Sequence, residues 1–253
     1  METQAHIKGV RRLSILRVPV DIVPEEGLAE IVGSLLANNR RNHIVLIRLR
    51  DLMRARRDRE FRKLLVDAAL VIPVTKGIVR GARFLQHSEP LRYMPFDFVI
   101  RLLGILEERR SSLYLLGMER KHLRVVEQNL RETFPGIRMV GRYNGFYPRE
   151  VEIDIITAIK KASPDFLLAG NGISGRNKWI YRHREEFQPG IYLWSGEVLD
   201  MFADRRRKPS RRSFQRGWDE FPDIIRRPWR LLRGFMYLWY AMLLLVYRIF
   251  RRH

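Results

Sequence analysis

Residues 68–79 read AALVIPVTKGIV, and their reading decides the fold. An apolar run ends at Pro73. A short loop carries Val74, Thr75, Lys76 and Gly77, and the chain turns apolar again at Ile78. A short continuous apolar run bounded by turn signals is the pattern of a strand buried on both faces, as in a parallel sheet. Such a strand delivers its loop to the carboxyl edge of the sheet, where α/β proteins place their ligands. Yet this loop holds no carboxylate, histidine, cysteine or serine, so it is either an active-site loop without a catalytic group or ordinary connecting chain.

Outward from this stretch, strand and helix patterns alternate. RLSILRVPVDIV (12–23) reads as a first strand, and Pro24-Glu25-Glu26 suits the first turn of a helix running to about Ala37. HIVLIRL (43–49) is a second strand, followed by a charged helix containing RDREFRKLLVDA, and Leu70–Pro73 is the third strand. PFDFVIRLLGILEERR (95–110) has apolar residues at helical spacing, and SLYLLG (112–117) is a strand ending in glycine. A helix over 119–134, a strand and Gly loop in PGIRMVGRYNGFY, and a helix in EVEIDIITAIKKAS follow. PDFLLAGNGISG is a strand running into a glycine-rich loop. NKWIYRHREEF is a helix, and GIYLWSGEVLDMFA is a last strand with a following turn. The alternation predicts an α/β, Rossmann-like fold: a mostly parallel sheet with helices on both faces.

The 253 residues suffice for one α/β domain with an appendage. The absence of cysteine excludes disulfides and thiolate chemistry. METQAHIKGVRRLSIL lacks the long apolar core of a secretory signal. The formal charge of +20 calls for an anionic partner: nucleic acid, phospholipid headgroups or phosphorylated substrates. Residues 201–253 hold 14 basic and 4 acidic residues, so half of the excess sits in the last fifth of the chain. We therefore divide the chain into a body, 1–203, and a basic appendage, 204–253. The sequence has no helix-turn-helix, RNP or zinc-finger pattern, and its aromatics gather in one apolar run, which argues against nucleic acid.

That run is Gly234 to Tyr247, 14 residues without a charge, bracketed by arginines. As a helix it would span roughly 21 Å, short of a ~30 Å hydrocarbon core. Tyr237, Trp239, Tyr240 and Tyr247 are residue types favoured at headgroup level. The expectation is a helix lying in the interface of an anionic membrane through residues 229–253. A short span held by snorkelling arginines, and a core helix packed on the body or on another subunit, are the alternatives. A homo-oligomer is compatible with the sequence, which does not fix the number of copies.

Candidate chemistry is sparse. Gly117 in LLGMERKHL ends a strand and precedes a helix, a junction that can offer backbone N–H groups to a phosphate. GNGISGRNKW (170–179) sets three glycines beside Asn171, Ser174, Arg176, Asn177 and Lys178, a composition suited to a diphosphate. Its spacing, Gly170-x-Gly172-x-x-Gly175, falls late in the chain without the acidic residue of a ribose contact, so a nicotinamide site is not expected. Candidate acid–base groups are Asp97, which equally suits helix capping, and Asp200, with Glu197 nearby. His43 bounds a strand and His183 lies on a charged helix. No pair of histidines or carboxylates has metal-ligand spacing, so no metal site is expected. No G-x-S-x-G elbow is present.

The order of these elements resembles the WecG/TagA/CpsF glycosyltransferases of bacterial cell-surface polysaccharide synthesis, from about Leu13 to Phe235. The stretches ILRVPVDIVPEEGLAEI, AALVIPVTKGIV, LYLLGMERKHLRVVEQNLRETFPGIRMVGRYNGFY, PDFLLAGNGISGRNKWIYRHREEF, SGEVLDMFADRRRKP and GWDEFPDIIRRPWRLLRGF carry the resemblance in order. It implies a Rossmann-like α/β fold and transfer of a sugar from a UDP-sugar to a polyprenyl-diphosphate-linked saccharide. It places the protein peripherally at the cytoplasmic face of the bacterial inner membrane, with no cofactor beyond the donor. The positions that match the family are Asp97, Asp200, Arg83, Gly117, Gly145, Gly172, Arg230 and Arg233. We expect Asp97 or Asp200 to serve as the catalytic carboxylate, and these glycines and arginines, with Arg176 added for its charge, as donor or diphosphate contacts.

The chain departs from the family pattern at several places. Val74-Thr75 stand where the family has a catalytic Asp-Gly, Leu46 and Arg48 where it has Thr-x-Asn, and Arg176 where it has glutamine. Met94-Pro95 replace a Thr-Gly, and Asp223 replaces an appendage arginine. Two readings follow. Either a relocated carboxylate serves as base, or the chain is a catalytically inactive homologue acting as a binding or scaffold subunit of a polysaccharide assembly.

Overall fold

The computed structural model describes residues 7–216 and 233–250. Leu70–Pro73 is strand β4 as expected, buried at every position. In chain order the elements are β1 (Arg11–Ile15), β2 (Val18–Ile22), α1 (Leu28–Ala37), β3 (Arg41–Ile47), α2 (Leu49–Ala55), α3 (Arg59–Asp67), β4, α4 (Lys76–Phe84) and α5 (Pro95–Glu108). Then come β5 (Ser112–Leu116), α6 (Arg120–Thr133), β6 (Arg138–Tyr143), α7 (Glu152–Ala162), β7 (Phe166–Ala169), α8 (Asn177–His183), β8 (Gly190–Trp194), α9 (Gly196–Phe202), α10 (Arg211–Arg216) and α11 (Arg233–Phe250).

Six strands form one parallel sheet in the order β4-β3-β8-β7-β5-β6. Because side chains alternate across a strand, each strand feeds two cores. Ile44, Leu70, Ile72, Leu113, Leu115, Phe166, Leu168, Ile191 and Leu193 pack with α1, α5, α6 and α9 on one face. On the other face, Val45, Ile47 and Val71 join α2, α3, α4 and α11, while Tyr114, Leu116, Leu167 and Tyr192 join α7 and α8. The double-sided burial expected from residues 68–79 therefore holds through the central sheet.

Five local expectations are corrected. The first segment is not one strand but the antiparallel hairpin β1–β2, turning at Leu16 and Arg17, both with positive φ (51° and 66°). A two-residue hairpin turn of this hand needs such angles and normally shows itself as Asn-Gly. Here a buried charge supplies the constraint instead. Asp21 accepts Arg12 at 2.7 and 2.9 Å and the Val71 N–H at 2.7 Å, pinning the hairpin to β4. The loop expected after Pro73 is two residues long, and Lys76 and Gly77 already belong to α4. The turn expected after β8 is helix α9, and the short helix α2 follows β3 directly. His43 lies inside β3 rather than at its boundary, and it is buried.

The described part of the appendage packs on the body. Gly77 and Gly81, one turn apart on α4, leave a groove for α11. A Cβ on Gly81 would meet the Tyr240 hydroxyl at 1.8 Å, and one on Gly77 would lie 3.5 Å from the Tyr237 ring. Tyr240 and Leu244 are buried there, whereas Phe235, Leu238, Trp239, Met242, Leu245, Ile249 and Phe250 are exposed. Among the described residues, no helix is long and apolar enough to cross a membrane.

Candidate active site

The sheet order fixes where a crevice must open. The helices after β3 and β7 lie on one face, and α9, which follows β8 between them, lies on the other. Neighbouring strands whose connections leave to opposite faces part at their carboxyl ends, and ligands of open α/β sheets bind there. A cavity of about 320 Å³ occupies this place. Its wall includes Leu46 and Arg48 of the β3 end, Val74 after β4, Asn171 and Arg176 after β7, and Trp194, Glu197 and Asp200 of β8 and α9. Met236 and Tyr237 of α11 also line it.

All four departures at Leu46, Arg48, Val74 and Arg176 thus meet in one cavity. Val74 is buried and donates its N–H to Ile47 O at 2.9 Å, so an apolar side chain stands where the family pattern has a carboxylate. Thr75 is structural: its Oγ1 accepts the Leu49 N–H at 3.0 Å and holds the β3–α2 turn. Arg48 pairs with Glu197, and Arg206 lies 3.7 Å from the same carboxylate. Among the described residues, the five arginines of the wall, Arg48, Arg50, Arg54, Arg176 and Arg206, outnumber its three carboxylates, Asp51, Glu197 and Asp200. The cavity therefore favours an anion.

The two expected carboxylates are placed differently. Asp200 lines the cavity, with Oδ2 accepting Asn171 Nδ2 at 2.9 Å and Oδ1 lying 3.4 Å from Arg205. Asp97 lies in the first turn of α5, outside the cavity wall, where it pairs with Lys208. Acids suit that turn.

Gly117, Gly145 and Gly172 sit behind the wall and knit three loops together. Gly117 N–H donates to Tyr143 O at 2.9 Å, Gly145 N–H to Met118 O at 2.7 Å, and Phe146 N–H to Gly172 O at 2.9 Å. A Cβ on Gly117 or Gly145 would come within 2.8 or 2.7 Å of Asn171 O, and Gly117 has φ +116°. Only glycine fits so close an approach in that conformation. The knot fixes the Asn171 backbone, and Asn171 in turn holds Asp200. Arg176 lines the cavity with φ +56°, its guanidinium 5.2 Å over the Trp194 ring. Arg83 is on the surface, paired with Glu89 at 2.7 Å, outside the cavity wall. Arg230 lies outside the described residues. Arg233 opens α11, and its side chain is likewise outside them.

Behind the same wall, His43 Nε2 faces Asn177 Oδ1 at 3.2 Å. Burial lowers its pKa from 6.5 to about 4, outweighing that hydrogen bond, with Arg184 adding in the same direction. His43 is thus a neutral group that orients a cavity residue. Arg50, Trp194 and Tyr237 carried no motif in the sequence. Proximity to the carboxyl end of a strand would have found the first two, since Trp194 ends β8 and Arg50 lies in the first turn after β3, but nothing in the spacing places Tyr237.

Comparison with known proteins gives the family. A mannosaminyltransferase of Bacillus subtilis (strain 168), N-acetylglucosaminyldiphosphoundecaprenol N-acetyl-beta-D-mannosaminyltransferase, is 22% identical over 189 residues, 75% of this chain and 73% of its own. A Staphylococcus aureus protein of the same name is 20% identical over 199 residues, 78% of each chain. The model of the Glycosyl transferase WecG/TagA/CpsF family matches residues 13–253. The chain belongs to the WecG/TagA/CpsF family of glycosyl transferases.

Proposed function

We propose that the chain transfers a sugar from a UDP-sugar to a polyprenyl-diphosphate-linked saccharide, in the synthesis of a bacterial cell-surface polymer. The observation that carries this reading is the arginine-rich cavity at the sheet switch point with Asp200 in its wall. Family membership and the lipid-diphosphate acceptor in the relatives' names supply the reaction class.

In the reaction, an acceptor hydroxyl oxygen attacks the anomeric carbon of the donor. Its proton passes to the Asp200 carboxylate, the bond from the anomeric carbon to the diphosphate oxygen breaks, and UDP leaves with the bonding electrons. Asn171 holds Asp200 in place, and cavity arginines take the charge that develops on the departing diphosphate. A positioned base contributes roughly 10²–10⁴-fold to such a step.

The exposed apolar face of α11 supports docking on an anionic membrane at the cytoplasmic face, peripherally, with the cavity wall formed partly by the same helix. The acceptor would be met at that surface.

The buried Val74 favours a second reading: a homologue that binds donor or acceptor without turnover and serves as a scaffold subunit. A screen of UDP-sugars against lipid-linked acceptors, with UDP release as readout, separates the two. Release with some donor supports transfer. UDP binding by calorimetry without release for any donor supports the scaffold.

A further inference from the structure

The cavity arginines are not equivalent. Arg48 and Arg206 face Glu197, and Arg54 pairs with Asp58 at 3.2 Å. Among the described residues, neither Arg50 nor Arg176 has a carboxylate partner, and both side chains are exposed at the cavity.

Their origins in the sheet are complementary. Arg50 follows β3 and Arg176 follows β7, the two strands flanking β8. Strand spacing puts those two strands roughly 10 Å apart, with the β8 end between them. The residue at that end is Trp194. Its indole N–H donates to Gly170 O at 2.8 Å, which fixes the ring, and Arg176 lies over the ring face. The positive φ at Arg176 is a conformation that costs a non-glycine residue energy, and such strain gathers at ligand clamps. An arginine held on a fixed aromatic face keeps its fork available and loses little freedom when it binds.

We propose that Arg50 and the Trp194-braced Arg176 form a clamp for a diphosphate, with Trp194 as a positioning residue acting through Arg176. The assignment of that diphosphate to the donor rests on the proposed transfer reaction. The clamp itself rests on the residues.

The test is calorimetry of the full chain with three probes: inorganic pyrophosphate, UDP, and farnesyl diphosphate as a soluble polyprenyl diphosphate. Arg50→Gln and Arg176→Gln should each weaken pyrophosphate binding about 10- to 100-fold. Trp194→Leu should weaken it roughly 3- to 10-fold, and Trp194→Phe, which keeps a ring face, should stay near wild type. Arg176→Gln combined with Trp194→Leu should bind no more weakly than Arg176→Gln alone, because the tryptophan acts through the arginine. A purely structural tryptophan would instead add its own loss. Wild-type pyrophosphate affinity in both arginine variants, or no pyrophosphate binding by the wild type, overturns the clamp. Additive losses in the double variant overturn the role of Trp194. Losses with pyrophosphate and farnesyl diphosphate but not with UDP keep the clamp, move it to the acceptor, and remove the donor assignment.

Discussion

Arg48, at the end of β3, and Glu197, in the first turn of α9 after β8, form an ion pair across the crevice between adjacent strands. It links the two connections that leave the sheet on opposite faces. Both side chains are partly exposed, at 33% and 19%, so the pair contributes about 1 kcal/mol or less to stability. Its larger effect is on the cavity field, because Glu197 neutralises charge that a phosphate would otherwise meet. Glu197→Gln should therefore tighten UDP binding about 3- to 10-fold at low salt and lose that gain at high salt. Weaker binding in that variant would mean that Glu197 itself contacts the ligand.

Among the described residues, the Tyr240 hydroxyl, buried against Gly81, has no hydrogen-bond partner. A buried polar group without a partner costs about 1–3 kcal/mol. Tyr240→Phe should therefore raise the melting temperature by at least about 2–4 °C. A lower melting temperature would show that the hydroxyl is satisfied. Gly81→Val has the opposite expectation: it fills the groove, and amide exchange in α11 should rise to that of an undocked helix.

Stability should fall with acid in two stages. His43 titrates at about 4 in the folded chain and at 6.5 when unfolded, so the unfolded chain takes up the extra proton. The resulting loss begins below pH 6.5 and is complete near pH 4. Burial alone would raise Asp58, but Lys178 and the Phe61 N–H prevail and bring it to about 2. Arg182 and Lys178 bring Glu60 to about 2. These depressed carboxylates stabilise above their unfolded values, 3.8 and 4.5, and that contribution is lost as pH falls toward 2. Urea midpoints should drop between pH 6.5 and 4.5, and His43→Gln should flatten that limb alone. An equal slope in the variant would contradict the assignment.

Leu238 and Leu245 are 69% and 52% exposed on the outer face of α11. Leu238→Glu with Leu245→Glu should leave the melting temperature unchanged and weaken binding to anionic vesicles by at least about 10-fold. Unchanged vesicle binding would refute docking through this face. A concentration-dependent mass that the two substitutions abolish would assign the face to a second copy of the chain.

Most of the sheet was legible because its signal is local. Continuous apolar runs such as Leu70–Pro73 and Leu113–Leu116 admit little besides buried strands. The hairpin at Leu16-Arg17 was not legible, because Asp21 and Val71, 50 residues apart, fix a turn that its own residues do not announce. The site was half legible. Asp200 and Arg176 fall in the cavity, but Asp97 is paired with Lys208 and Arg83 with Glu89 outside its wall. In sequence Asp97 suits the first turn of a helix and Asp200 follows the last strand, and neither pattern says which of them reaches the cavity. Only the sheet order, which no local pattern encodes, separates them. The stretch at 68–79 yields a strand and then a helix whose two glycines seat α11, so Gly77 serves packing rather than a loop.

The central claim is that Asp200 replaces the carboxylate absent at Val74. The most direct measurement is single-turnover UDP release by the full chain, with a UDP-sugar and a lipid-linked acceptor, in wild type, Asp200→Asn and Asp97→Asn. The account predicts release by the wild type, a loss of roughly 10²–10⁴-fold in Asp200→Asn with UDP affinity and melting temperature retained, and near-normal release in Asp97→Asn. Wild-type release rates in Asp200→Asn, or a comparable loss confined to Asp97→Asn, would contradict it.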